Sequence, residues 1–361
     1  MDKNLILNKP RILEILDETL MLNDLVNIRA RVARLKQNLC SPQSDEDGIL
    51  NIDMNGDTIQ LSQSYLLHEI QQIEETKTVE RTLYYLERFK KSLAIVKTSK
   101  INDINLNRWK EYSNILTDSL WVLNRRDSTG IHSAWYWGNF VPQIPYQMLV
   151  RYTKKGEWVL DPFLGSGTTL IECQRLGRNG IGIELQPDIA RKAKEIISKE
   201  DNKHRTTLGV EIGDSASIDL QSILEKYGAK SFQLLILHPP YHDIIKFSDN
   251  PNDLSNSETV TAFVNAFGRV LDNTIPLLDT GRYLAVVIGD KYSKGEWIPL
   301  GFLLMNEVLN RGFILKSTIV KNFEETAGKR NKKDLWRYRA LVGGFYIFKH
   351  EYIFVFKKRG S

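Results

Sequence analysis

Two short runs in this chain combine residue types that can do chemistry. The first is WVLDPFLGSGTTLIECQRLGRNGIGIEL, in which an apolar run closes on Asp161 and Gly165, Ser166, Gly167 and Thr168 open a helical stretch. Glycines there permit a tight turn and let a ligand approach the backbone closely. The helix start adds N–H donors for an acidic group. The next apolar run ends in Glu184, and a third is followed by Asp214. An acid at such a strand end can accept hydrogen bonds from two ribose hydroxyls, and a further one from an adenine amino group. The turn has no Gly-Lys-Ser/Thr, which disfavours a P-loop. Asp-Pro stands where a GxGxxG dinucleotide motif would begin.

The second run is FQLLILHPPYHDIIKFSDN, whose apolar stretch ends in His238-Pro239-Pro240-Tyr241. Consecutive prolines fix φ and donate no backbone hydrogen bond, so they make a rigid turn that exposes carbonyls. An amine conjugated to a ring is a poor nucleophile. Accepting both of its N–H groups pushes the nitrogen towards sp³ and aims its lone pair. The Pro239 carbonyl and a neutral His238 can supply the two acceptors, while Tyr241 can stack on a base swung out of its helix. Protonated imidazole cannot accept, so activity should fall as pH drops through the His238 pKa. Asp243, Lys246, Ser248 and Asp249 follow as a loop, with Lys246 a candidate phosphate or base contact. Gly289-Asp290-Lys291 is a candidate lining of the base pocket.

These segments resemble the amino-group DNA methyltransferases, the N4-cytosine and N6-adenine class. The resemblance covers about residues 135–357 and rests on DPFLGSGTT, on GNFVPQIPYQMLVRYTKKGEWVL before it, and on HPPY followed by DIIKFS. It implies S-adenosyl-L-methionine as cofactor, with Asp161 and Phe163 at its methionine end, Glu184 at the ribose and Asp214 at the adenine. Phe140–Gln147 would close over the methionine. The implied cofactor set also holds Pro142, Gln143, Pro162, Thr169, Leu185 and Ser215. His238 stands where the family usually has Asp, Asn or Ser, so the choice between adenine N6 and cytosine N4 stays open, with adenine favoured. No cysteine accompanies the turn, which disfavours C5-cytosine chemistry. The implied role is site-specific DNA methylation in restriction–modification or defence. The alternatives are an RNA base amino-methyltransferase and a non-catalytic nucleic-acid-binding subunit of a methylase complex.

Elements must position these residues. Trp158–Phe163, Gly180–Leu185, Leu208–Ile212, Phe232–Leu237, Tyr283–Ile288, Ile314–Val320 and Tyr352–Phe356 read as strands, with helical stretches between the first six. Alternation predicts a doubly wound, mostly parallel sheet covered on both faces. The last two strands have no helix between them and should pair as an antiparallel hairpin. The expected class is α/β, a seven-stranded Rossmann-like methyltransferase sheet with an N-terminal helical region. Residues 1–100 read as two long amphipathic helices joined by a polar segment, in which residues 49–62 suggest a β-hairpin. Residues 101–137 read as a helix from Trp109 to Leu123 and a loop, and residues 138–361 as the catalytic domain.

The chain has 361 residues and a net charge of +5, a mild excess whose clustering matters more than its size. Lys321, Lys329, Arg330, Lys332, Lys333, Arg337 and Arg339, interleaved with Trp336 and Tyr338, read as an exposed nucleic-acid-binding loop. Arg29, Arg31, Arg34 and Lys36 read as a solvated helix face. Arg125 and Arg126, with Trp135, Tyr136 and Trp137, form a third candidate group. The expected macromolecular partner is double-stranded DNA, and the N-terminal helices read as a cap packed on the main domain or, as the alternative, as the surface that holds a second subunit. Cys40 and Cys173 lie far apart, with no CxxC or Cys/His cluster, so neither a disulfide framework nor a zinc site is expected. The absence of an apolar run of about 18 residues or a signal-like start predicts a cytoplasmic protein without a membrane partner.

Overall fold

The structure is a computed structural model that describes residues 3–41, 45–52, 57–323 and 333–360. It divides into two compact units, one of residues 1–100 and 104–114, the other of 101–103 and 115–361.

In the first unit, β1 (Asn4–Asn8) leads into α1 (Lys9–Leu20) and α2 (Leu25–Cys40). β2 (Thr58–Ser62) leads into α3 (Gln63–Glu74) and α4 (Val79–Ala94). The expected two long helices are therefore four. The apolar spacing runs on across the breaks, but Asp24 and Thr78 cap new helices by accepting from the N–H of Asn27 and Arg81. The expected hairpin within residues 49–62 is also corrected, because β2 pairs antiparallel with β1. The N–H groups of Ile49 and Leu50 go instead to the Asp45 carboxylate. Arg29, Arg31, Arg34 and Lys36 are tied down within the unit, by Thr76 O, Glu18, Asp47 and Glu74 in turn.

The predicted helix from Trp109 to Leu123 does not form. A 3₁₀ turn spans Leu106–Glu111, and Arg108 inside it is non-helical. Further on, Leu116 gives its N–H to Gln147 Oε1 and its carbonyl to Arg151, so helical hydrogen bonds there are replaced by side-chain ones. Leu120–Trp121 becomes a short edge strand, β3, with Trp121 buried.

The second unit is built on a sheet of β3, β4 (Trp158–Asp161), β5 (Asn179–Glu184), β6 (Leu208–Ile212), β7 (Phe232–Leu237), β8 (Leu278–Ile288), β11 (Ile314–Asn322) and β12 (His350–Lys357). Its order is β3-β11-β12-β8-β7-β4-β5-β6. Only β12 runs against the others, pairing antiparallel with β8 and β11. The mostly parallel sheet and its antiparallel hairpin match the expectation, with β3 added at one edge.

Alternation along the strands sorts the core. Leu235, Leu237, Leu284, Val286, Phe354 and Phe356 face one way, onto α8 (Leu220–Lys226), α9 (Val260–Thr274) and α10 (Leu300–Asn310). Leu234, Ile236, Ala285, Val287, Ile353 and Val355 face the other way, onto α5 (Gln143–Tyr152). Beside them lie α6 (Thr168–Leu176) and α7 (Pro187–Ser198). After β4 the chain builds β5 and β6 outward, then returns to place β7 on the other side of β4. That reversal opens a crevice at the carboxyl ends of β4 and β7, where doubly wound sheets take ligands. A small hairpin of β9 (Lys291–Ser293) and β10 (Glu296–Ile298) follows β8. The basic segment expected as a loop instead contains a helix, α11 (Lys333–Gly343). Its Arg339 guanidinium lies over the Trp336 ring, as helical spacing of three allows.

Candidate active site

At one end of the crevice the backbone does most of the shaping. Asp161 is buried, and its carboxylate accepts from Phe163 N at 3.0 Å and Thr169 Oγ1 at 2.5 Å. It clamps both sides of the glycine turn, and burial pushes its pKa up to about 6. Gly167 sits at φ +83°, and a Cβ there would lie 2.8 Å from Ile197 Cδ1, so backbone and packing both demand glycine. Glu184 accepts from Gly165 N and Gln186 N, each at 2.9 Å, and burial raises its pKa. Each of its oxygens keeps a second lone pair. Asp214 Oδ1 accepts from Ala216 N at 2.9 Å, and Oδ2 makes only a 3.5 Å contact with Ser217 Oγ. The Ser215 hydroxyl donates to Pro162 O, joining the ends of β6 and β4.

At the other end, side chains dominate. His238 lies against Phe140, with ring centroids 4.8 Å apart, and its Nε2 is 3.3 Å from the Tyr241 hydroxyl. Tyr241 donates to Glu351 Oε2 at 2.7 Å, and Lys321 donates to Glu351 Oε1 at 2.9 Å. The Tyr241 ring covers Gly289, where a Cβ would come within 2.8 Å of it. Burial pushes the His238 pKa down to about 4 and the Tyr241 phenol up. The imidazole is therefore neutral well below its ordinary range, and the fall in activity expected as pH drops through the His238 pKa moves down with it.

Both ends open into one cavity of about 750 Å³. Of the residues singled out from sequence, Phe140, Pro162, Phe163, Gly165, Ser166, Glu184, Leu185, Asp214, Ser215, His238, Pro239, Pro240, Tyr241 and Trp336 line it. Asp161, Gly167, Thr168 and Thr169 lie buried behind the turn and shape it from below. Pro142 precedes α5 off the wall, and the Gln143 side chain is spent on Asp127 N and Arg125 O. Arg126 donates to Phe140 O at 2.9 Å, so it braces the cavity wall rather than facing outward. Lys246 is exposed and paired with Asp249, and Arg337 is exposed on α11. Lys329, Arg330 and Lys332 lie outside the described residues, and of Lys333 only the backbone start of α11 is described. Gly289 and Asp290 line the cavity, whereas Lys291 is buried against His242 and Asp243.

Sequence reasoning missed Asn139, Asp253, Phe323, Phe348, His350 and Glu351 as lining residues, and it placed Tyr136, Trp137 and Lys321 among nucleic-acid contacts rather than in the cavity wall. One signal was available for Lys321 and Glu351. Lys321 follows the apolar pair Ile319-Val320 and Glu351 precedes the apolar run Tyr352–Phe356, positions at which a charge asks for a partner.

A family model described as DNA methylase, for N6 and N4 methyltransferases, matches residues 45–195 and 232–361. The chain belongs to this DNA methylase family. Among curated relatives, the type II methyltransferase M.MjaII of Methanocaldococcus jannaschii is 35% identical over 119 residues, covering 29% of this chain and 22% of the relative. The type II methyltransferase M.HpaI of Haemophilus parainfluenzae is 40% identical over 62 residues, covering 17% of this chain and 20% of the relative. The matched stretches thus span less than a third of these relatives. Among solved structures, TrmN from Thermus thermophilus aligns at 18% identity with a TM-score of 0.40, covering 62% of this chain and 50% of that one.

The cofactor of such methylases is S-adenosyl-L-methionine, and the donor set suits it. Glu184 has free lone pairs for a diol, Asp214 Oδ2 has room for an amino group, and the Gly165–Ser166 backbone is open to the cavity. Among the described residues no group of His, Cys, Asp and Glu could hold a metal ion. Among the described residues no helix is long and apolar enough to cross a membrane.

Proposed function

We propose that this methylase transfers a methyl group from S-adenosyl-L-methionine to the exocyclic amine of a base flipped out of double-stranded DNA, either adenine N6 or cytosine N4. The observation that carries the proposal is a single cavity shared by the Glu184 glycine turn and the His238-Pro-Pro-Tyr turn. The cofactor supplies an electrophilic methyl carbon. Glu184 would hold the ribose, Asp214 the adenine, and Phe140 with Asp161-braced Phe163 the methionine end. His238 and the Pro239 carbonyl would accept the two N–H groups of the target amine, and Tyr241 would meet the face of the base. The cavity walls would exclude water from the reacting atoms. Trp336 and Arg337 on α11, and Lys246 beyond the turn, would meet nucleic acid, with restriction–modification or defence as the setting.

Transfer of labelled methyl from S-adenosylmethionine to duplex DNA, with digestion to identify the modified nucleoside, tests this. The expected product is N6-methyladenine or N4-methylcytosine. Labelling confined to transfer RNA, or to no nucleic acid at all, would overturn it.

A further inference from the structure

Lys321 on β11 and Glu351 on β12 face each other across an antiparallel register, and both are buried. Removing two charges from water is costly, and a pair of this kind returns little net stability. Its position suggests a different use, because the remaining Glu351 oxygen takes the proton of Tyr241.

A phenol has one proton to give. With it committed to Glu351, the Tyr241 oxygen can meet His238 Nε2 only as an acceptor. His238 must then carry its hydrogen on Nε2 and leave Nδ1 bare. No group among the described residues hydrogen-bonds Nδ1. Phe140 packed on the imidazole at 4.8 Å, and Tyr241 edge-on to it at 5.6 Å, oppose a ring flip that would exchange the two nitrogens.

We propose that Lys321 and Glu351 act through Tyr241 to fix the tautomer of His238, so that a bare Nδ1 faces the amine of the target base. This rests on the function proposed above, in which His238 accepts an amine N–H. Lys321 and Glu351 are positioning residues. Lys321 fixes one carboxylate oxygen, Glu351 turns the phenol proton away from the imidazole, and the imidazole proton follows. Reversal of the phenol would place the hydrogen on Nδ1, which would then repel the donor it has to accept.

The test is long-range ¹H–¹⁵N correlation NMR on the ¹⁵N-histidine-labelled full chain, with His238 assigned by its loss in His238→Gln. In the wild type, Nε2 should be the protonated nitrogen. In Lys321→Met/Glu351→Met, an apolar replacement of a buried pair that folds tolerate well, the Tyr241 proton should swing to Nε2 and His238 should become the Nδ1–H form. Tyr241→Phe, which loses only a hydroxyl, should relax His238 to the mixture of tautomers seen in water. Kcat for methyl transfer should fall about ten- to a hundredfold in the double variant, with the affinity for S-adenosylmethionine unchanged. An Nδ1–H wild type would overturn the proposal, and so would a tautomer that neither variant moves. Absence of methyl transfer by a wild type showing the expected tautomer would sink the proposed function and leave the tautomer device standing.

Discussion

The two ends of the cavity are made by different means. At the glycine turn, carboxylates hold backbone. Asp161 accepts from the Phe163 N–H and the Thr169 hydroxyl, and Glu184 from the Gly165 and Gln186 N–H groups, all within a few residues or one strand away. At the Pro-Pro turn, side chains hold side chains, through Tyr241, Glu351 and Lys321 on three strands or strand ends. The first arrangement is stiff because moving it means breaking a turn. The second is tunable because one hydroxyl can reverse its hydrogen bond. A binding site profits from stiffness, and the acceptor role proposed for His238 needs a defined proton position.

Substitutions that hit one end and spare the other probe this contrast. The largest effect is expected from His238→Phe. It should lower kcat about a thousandfold, as loss of one aligned polar group commonly does, while calorimetry finds cofactor affinity within about threefold. Comparable losses in both would mean that the ends are not separable. Glu184→Ala should do the converse. Two charge-assisted hydrogen bonds lost at about 1.5 kcal/mol each raise the Kd for S-adenosylmethionine about a hundredfold. Undiminished binding would remove Glu184 from the ribose.

The pH dependence sharpens the same point. Burial holds the His238 pKa at about 4, so the imidazole is neutral and able to accept above that value and cationic below it. The rate on folded protein should be level from pH 8 to 5 and fall about tenfold per unit once pH drops below about 4. A midpoint in the ordinary imidazole range would show that burial does not hold His238 down. The smallest effect belongs to the rim. Arg337→Gln with Arg339→Gln should weaken DNA binding and reduce its salt slope by about two, with cofactor affinity unchanged. An unaltered slope would return α11 to a merely solvated helix.

What could be read in advance follows the same division. Asp161, Glu184 and Asp214 announced themselves because strand ends and the glycine turn are written in consecutive residues. The seven principal strands emerged from their apolar runs, and alternation pointed to a doubly wound sheet, whereas the strand order was set by the tertiary pairing. The helix expected over Trp109–Leu123 failed because Gln147 and Arg151, far along the chain, captured the backbone of Leu116. The hairpin expected within residues 49–62 failed because β2 found β1 as its partner. Apolar spacing cannot register such competition from distant groups.

The sequence by itself determined the α/β sheet, the glycine turn after Asp161, and a rigid turn in which a histidine precedes two prolines. Local stereochemistry and the strand period of two suffice for those. Only the tertiary structure decided that His238 is pushed down to about 4, that Arg126 braces the wall, and that Lys321 and Glu351 close on Tyr241. Desolvation and hydrogen-bond polarity depend on everything that surrounds a group, and those surroundings come from strands more than a hundred residues away, as Glu351 does from Tyr241.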